Sequence, residues 1–448
     1  MSDQPQILYK NRYVSGIHRI NTYVKNGGYE AFRKALAMTP EDIINEVKTS
    51  GLRGRGGAGF PTHVKWSAVP KNFDQPHYLV INADEGEPGT AKDRDLLNFI
   101  PHLLIEGCLA SMVAIRAKVC YIYIRGEYVE PWQAVQRAIN EAYDAGYIGK
   151  NVLGSGLDFD IYTHLGAGSY ECGEESALMS SLMGERGMPR LKAPSAPLPM
   201  VSGVWQRPTV VNNVETIATV VPILNMGGAE YTKIGYGSPR SRGTKMFSIS
   251  GHVRKPGVYE IVLGTPFREV LEDIAGGVRD GHRLKTYIPG GSSMGFAPTD
   301  PLDYPFDYEG IPASTKTLGL GSGGLIVFDE TTSIVPVTQR LVDFYHHESC
   351  GKCTPCREGL NWLHKIYARI VSGAGREQDI DLIWDICDNI RGKSFCALGE
   401  GAIWPVMTSL NLFRDEYLHW IRHGEDPITG GHGTESLAEL EATPPLPA

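Results

Sequence analysis

Between residues 78 and 183 the chain alternates short apolar runs with longer amphipathic ones. Residues 78–83, 119–124 and 159–164 are short and rich in β-branched and aromatic side chains, which predicts strands. Residues 103–117, 131–145 and about 174–183 predict helices. Strand and helix alternating with short links imply a parallel sheet covered on both faces. In such sheets ligands sit beyond the carboxyl ends of the strands. The loops at those ends are residues 82–94 and 165–175. Ahead of the sheet, Thr39 predicts an N-cap, Pro40 suits the first helical position, and Asp42 completes a capping-box-like pattern. Ile43, Ile44 and Val47 form the apolar stripe of that helix, which should stop near Ser50 and Gly51.

The pattern changes after about residue 245. Residues 246–250, 258–263, 287–288 and 325–328 predict short strands, and 266–274 a helix ending at Gly276 and Gly277, which together make a small α+β unit. From Ser333 to His423 the chain is helical in about four segments, with cysteines at their joints. The expected organisation is an α/β domain over 1–244, the α+β unit over 245–332, an all-α region over 333–424, and an acidic tail over 425–448. The tail lacks Lys and Arg, carries Glu425, Asp426, Glu435, Glu439 and Glu441, and is expected to be disordered because it has too few large apolar groups to offset its ordering entropy.

At 448 residues, with 42% hydrophobic and 21% charged side chains, the composition is that of a multidomain globular chain. A net charge of −8 leaves no basic field for nucleic acid or an anionic membrane surface. The most apolar stretch, 103–124, is interrupted by Glu106, Arg116 and Lys118, so no membrane span is expected. The first residues lack the layout of a secretory signal, so a cytoplasmic location is expected. The 52 glycines gather in clusters between apolar runs, where tight turns or close backbone approach are needed.

Eight cysteines without a signal peptide argue against disulfides. Cys350, Cys353 and Cys356 are spaced by two residues on one loop, and three thiolates at that pitch suit three corners of an iron–sulfur cube. Cys387 and Cys396 are candidates for the fourth corner. Cys396 is preferred because its loop is flanked by glycine, whereas Cys387 falls on the apolar stripe of a helix. A zinc site is the competing reading, although zinc favours paired cysteines. Cys108, Cys120, Cys172 and Cys387 are expected to pack as small hydrophobes.

Gly54 to Gly59 match G-x-G-x-x-G, but the motif follows a helix rather than a strand. Its amides, with Arg53, Arg55 and Lys65, would cradle a phosphate-bearing cofactor. The loop after the first strand carries Asn82, Asp84, Glu85 and Glu87, and the loop after the third carries Cys172, Gly173, Glu174 and Glu175. Carboxylates there accept hydrogen bonds from ribose or ribityl hydroxyls and repel a second phosphate, favouring NADH over NADPH. Asn212 and Asn213 either bond a flavin edge or cap the helix that follows.

The segments LRGRGGAGFPT (52–62), NADEGEPGTAKDR (82–94), GAGSYECGEESAL (166–178), PTVVNNVET (208–216) and ESCGKCTPCREG (348–359) resemble the NADH-binding flavoprotein subunits of respiratory complex I, of the bacterial NuoF type. The resemblance runs from about residue 28 to 422. It implies a Rossmann-like FMN domain, a ubiquitin-like (SLBB or β-grasp) unit and a helical bundle carrying one 4Fe–4S cluster. By motif it assigns FMN to Gly54, Arg55, Gly56, Gly57, Lys65, Asn82, Asp84, Glu85, Gly173, Glu174, Asn212, Asn213 and Thr216. It assigns NADH to Phe60, Glu87, Glu175 and Lys192, and the cluster to Cys350, Cys353, Cys356 and Cys396. Ser195 and Ala68 stand where relatives carry aromatics, so adenine is expected to bind more weakly or in a different seat, with Phe60 as its remaining platform.

The implied activity is NADH dehydrogenase. Flavin accepts a hydride and releases electrons singly to the cluster, so no side chain need serve as general acid or base, and Glu87 and Glu175 are expected to orient substrate. The expected partners are a 2Fe–2S thioredoxin-like subunit and a large iron–sulfur subunit, in the peripheral arm on the cytoplasmic side of the bacterial inner membrane. The alternatives are a diaphorase subunit of an NAD-linked hydrogenase or formate dehydrogenase, and a non-enzymatic metal-binding scaffold. The short N-terminus and the lack of cysteines after Cys396 favour the first reading.

Overall fold

A computed structural model of the protein describes residues 4–71, 76–191, 194, 197–311 and 317–431. Four short helices come first: α1 (Ile20–Lys25), α2 (Glu30–Leu36), α3 (Pro40–Thr49) and α4 (Thr62–Ser67). Helix α3 starts as its sequence dictates, with Thr39 Oγ1 accepting the Asp42 amide at 3.2 Å while Ile43 and Val47 are buried. The chain then alternates through β1 (His77–Ala83), α5 (Lys92–Phe99), α6 (Pro101–Ile115), β2 (Ala117–Ile124), α7 (Val129–Asp144), β3 (Asp160–Leu165), α8 (Glu175–Leu182), β4 (Thr209–Asn213), α9 (Val214–Met226) and α10 (Gly228–Tyr231).

The strands are parallel in the order β3-β2-β1-β4. Helices α6 and α9 cover one face and pack closely, because Gly107 of α6 leaves room where a Cβ would sit 2.3 Å from the Ile217 carbonyl oxygen. Leu178, Met179 and Leu182 of α8 pack on the other face against Val80, Tyr123 and Val211. Helix α6 ends two residues sooner than its apolar run suggests: Arg116 turns to φ 59° and Ala117 already belongs to β2. Strand β4 goes beyond what the apolar pattern predicts, since it is five residues long and closes on two asparagines.

The second unit is a mixed sheet of β5 (Thr244–Gly251), β6 (Gly257–Val262), β7 (Leu284–Ile288) and β8 (Gly324–Asp329), ordered β6-β5-β8-β7. Helix α11 (Phe267–Glu269) runs into one π turn over Val270–Ile274 and buries Phe267, Val270 and Leu271 against it. The third unit has five helices among the described residues, one more than expected: α12 (Ile334–Glu348), α13 (Thr354–Arg369), α14 (Gln378–Ile390), α15 (Leu398–Leu412) and α16 (Arg414–His423). The extra boundary falls at Phe413, which leaves helical geometry between α15 and the amphipathic α16. Order continues past the expected end of this unit: Asp426 accepts the amide of Ile428 at 2.8 Å and is buried. The rest of the acidic tail, 432–448, lies outside the described residues. Among them no single helix is long and apolar enough to cross a membrane, and all fifteen residues of α6 are buried in the protein.

Candidate functional site

Strand order reverses between β1 and β4, and a crevice at such a switch point is where open α/β sheets bind ligands. A cavity of about 460 Å³ opens there. The first unit lines it with Gly56, Gly57, Asn82, Asp84, Gly173 and Asn213; the second unit adds Ser293 and Ser322, and the third Cys396 and Trp404. The glycine loop reaches the cavity after α3, and Gly56 is needed because a Cβ would stand 3.0 Å from that of Asn213.

The expected site residues divide into two groups. Asn82 donates to the Gly173 carbonyl at 2.8 Å and so ties the two carboxylate-bearing loops together. Glu174 faces the cavity while its carboxylate accepts the Ser176 and Ala177 amides, both at 2.9 Å, as the N-cap of α8. Glu85 also caps: its carboxylate accepts the amides of Asp93 and Arg94 at 2.9 and 3.0 Å. Asn213 caps α9 by accepting the Glu215 amide at 3.0 Å and still borders the cavity, so capping and ligand contact are compatible. Burial pushes the Asp84 carboxyl up to about 7, and its Oδ2 has no hydrogen-bond partner among the described residues.

Other expected residues stand behind the wall. Thr216 Oγ1 accepts the Arg55 amide at 2.8 Å, and Asn212 accepts the Trp66 indole at 2.9 Å. Gly54 donates its amide to the Phe60 carbonyl at 2.8 Å, closing the base of the glycine loop. The Arg55 guanidinium is buried against Tyr308 and the Arg242 carbonyl, and Arg53 pairs with Glu309 at 2.5 Å. Lys65 pairs with Glu175 at 2.6 Å. Phe60 stands half-exposed, Ala68 closes α4, and Lys192 and Ser195 lie outside the described residues.

Among the described residues the cation that lines the cavity is Lys92, which no spacing rule marks although it falls inside the first acidic loop, 82–94. It pairs with Asp93 at 2.8 Å and with Glu215 at 2.9 Å. Desolvation would lower its pKa, but Asp93, Glu215 and Glu85 hold it above the ordinary lysine value. Lys245, 3.8 Å from Glu215, is pushed down to about 7 by burial, with Lys92 and Arg55 adding to the shift. Glu215 is thus the shared counter-ion of a buried cationic cluster beneath the cavity floor. Ser293, Ser322 and Trp404 also line the cavity, and no local signal marks them because they arrive from other units.

Cys350, Cys353, Cys356 and Cys396 line a second, adjoining pocket with Glu171, Lys352, Phe395 and Leu398. The loop from α12 brings the first two, α13 the third, and the turn into α15 the fourth. Phe395 donates its amide to Cys353 Sγ at 3.4 Å, and Ser349 Oγ lies 3.2 Å from Cys356 Sγ. Burial pushes the Cys356 thiol up to about 11 and Cys396 higher still, so a bound cation would be what holds these groups as thiolates. Cys387 is buried in the helical core away from this pocket, while Cys108, Cys120 and Cys172 are buried in the first unit.

Both groups that the resemblance implies fit these residues. The orphaned Asp84 oxygen, with glycine amides and Lys92, matches a hydroxylated phosphate ester, and four converging thiols match an iron–sulfur cube.

The Nuo51 FMN-binding domain model matches residues 47–222, the SLBB domain model 246–297, and the model of the NADH-ubiquinone oxidoreductase-F iron-sulfur binding region 336–420. Fold and site therefore define an NADH dehydrogenase subunit that carries FMN and a 4Fe–4S cluster. The chain is 52% identical to the F subunit of NADH-quinone oxidoreductase from Mycobacterium tuberculosis H37Rv, over 90% of this chain and 89% of that one. It is 47% identical to the second F subunit of Rhizobium meliloti, over 94% and 99%. The chain belongs to the family of NADH-quinone oxidoreductase F subunits. It is the electron-input component of a multi-subunit complex, oxidising NADH by hydride transfer to FMN and passing electrons singly to the cluster. A solved NAD+-reducing [NiFe]-hydrogenase is similar, with a TM-score of 0.78 and 33% identity, over 95% of this chain and 70% of that one.

Proposed function

We propose that Cys350, Cys353, Cys356 and Cys396 ligate the cluster and that FMN lies in the switch-point cavity. The observation that carries this reading is the wall common to both pockets, formed by Glu171, Cys396 and Leu398. A flavin and a cluster on its two sides are close neighbours. Gly56, Gly57 and Lys92 would hold the phosphate end, and Asn82, Asp84, Gly173, Glu174 and Asn213 the ribityl and ring portions. Gly54, Arg55, Lys65, Glu85, Asn212 and Thr216 support these groups through the contacts described above.

Phe60, Glu87, Glu175 and Lys192 are proposed for NADH. Lys65 holds Glu175 in place, and Tyr170 and Ser293 hold Glu87, so both carboxylates are fixed for ribose rather than free for proton transfer. Their charge disfavours the extra phosphate of NADPH. The domain limits 1–244, 245–332 and 333–424, the 2Fe–2S and large iron–sulfur partners, and a place on the cytoplasmic side of the membrane belong to the same proposal.

The test is to purify the complex, measure FMN, iron and sulfide per chain, and assay NADH and NADPH with an artificial acceptor. One FMN per chain, iron and sulfide that fall by about four each in Cys396→Ser with the partners' clusters retained, and a strong preference for NADH are expected; a colourless complex would refute the reading. A second reading, a diaphorase subunit, is favoured by the hydrogenase likeness. It requires hydrogen-dependent NAD+ reduction by the purified complex.

A further inference from the structure

Glu171 lies on the one-turn 3-10 segment Tyr170–Gly173, between β3 and α8, and is 3% exposed. It borders the flavin cavity on one side and the cysteine pocket on the other. It lines that second pocket together with Cys350, Cys353, Cys356 and Cys396. Neighbouring Tyr170 is fixed by its bond to Glu87 and its amide's bond to Glu348, at 2.5 and 2.9 Å, so the segment has little freedom to carry the carboxylate away.

A buried charge acts strongly because little solvent screens it. The potential of an iron–sulfur cluster follows its net charge and the groups around its sulfurs. A carboxylate beside the cube disfavours the added electron and so lowers the potential. We propose that Glu171 is a positioning residue for electron transfer, a fixed negative charge in the wall between flavin and cluster that holds the cluster at a lower potential than its cysteines alone would set. The inference rests on the four-cysteine reading above.

The test is an EPR-monitored redox titration of the assembled complex, following the signal that disappears in Cys396→Ser. Glu171→Gln keeps the shape and Glu171→Leu removes polarity; both remove the charge. Both are expected to raise the midpoint, so that at a fixed ambient potential the reduced-to-oxidised ratio rises about tenfold, equal to about 59 mV for one electron. If only one variant loads the cluster, that variant decides. An unchanged or lowered midpoint in Glu171→Gln overturns the proposal, because a neutral hydrogen-bond donor would behave that way. Loss of the cluster in both variants also overturns it, since Glu171 would then govern assembly rather than potential. If the wild type shows no signal that depends on Cys396, the four-cysteine reading fails instead.

Discussion

The carboxylate of Glu87 and the amide of Ser293 meet at 2.7 Å across the seam between the flavin unit and the SLBB unit. The Tyr170 hydroxyl donates to the other carboxylate oxygen at 2.5 Å. One half-buried side chain thus joins the loop after β1, the loop after β3 and the second unit. Glu87→Ala removes the acceptor of two half-buried donors, at about 1 kcal/mol each. Thermal unfolding should show a clear loss of stability, smaller in Glu87→Gln, which keeps an acceptor for Ser293.

Asp84 makes the flavin-free protein less stable as pH rises. Its folded pKa is about 7, against an unfolded value of about 3.9. The folded state therefore binds more protons between these values, and stability falls from about pH 4 to about pH 7. Glu85 is also raised to about 7 by burial, so the wild-type slope contains both groups. Melting temperature against pH should fall less steeply for Asp84→Asn than for wild type. Parallel curves would refute the assignment.

The two downstream cysteines should behave oppositely. Cys396→Ser should abolish the cluster's EPR signal and reduce bound iron. Cys387→Ala should keep both and cost about 1 kcal/mol, because it removes only one buried sulfur from the helical core. A lost cluster in Cys387→Ala would reverse the choice of fourth ligand.

Removing Glu215 takes their shared counter-ion from Lys92 and Lys245, both buried, and leaves Lys92 with Asp93 alone. Breaking such a buried pair costs about 3–5 kcal/mol. Glu215→Ala should show a large fall in denaturation midpoint, with loss of FMN as the cavity floor shifts. Wild-type stability in that variant would show that the cluster of charges is not held by this residue.

Phe60 is 48% exposed, as a platform awaiting a flat ligand would be. Phe60→Ala should raise the KM for NADH by about twofold to tenfold, the equivalent of about 0.5–1.5 kcal/mol, with FMN content unchanged. Ser195→Phe should lower it by a similar factor. Equal KM values in wild type and Ser195→Phe would remove the adenine argument.

The elements legible in the sequence are those whose signal is local. Thr39, Pro40 and Asp42 define the start of α3 by themselves, because capping involves atoms three residues apart. The triplet Cys350, Cys353 and Cys356 is equally local. Strand β4 was not legible: its short run Thr209–Asn213 becomes a strand only by pairing with β1. Lys92 carried no pattern either, since its importance comes from Asp93 and Glu215 meeting it in the fold.

By itself the sequence determined the three-part architecture, the strand–helix alternation and the chemistry on offer: glycine amides, carboxylates and a thiolate triplet. These depend on residue type and spacing along one stretch of chain, which folding does not alter. Only the tertiary structure decided which groups share a cavity. It turned Arg53 and Arg55 away, brought Lys92 in, joined Glu87 to Ser293, and set Glu171 between the two pockets. The reason is that desolvation and ion pairing act through space, so the role of a buried charge is set by partners that lie far from it in the chain.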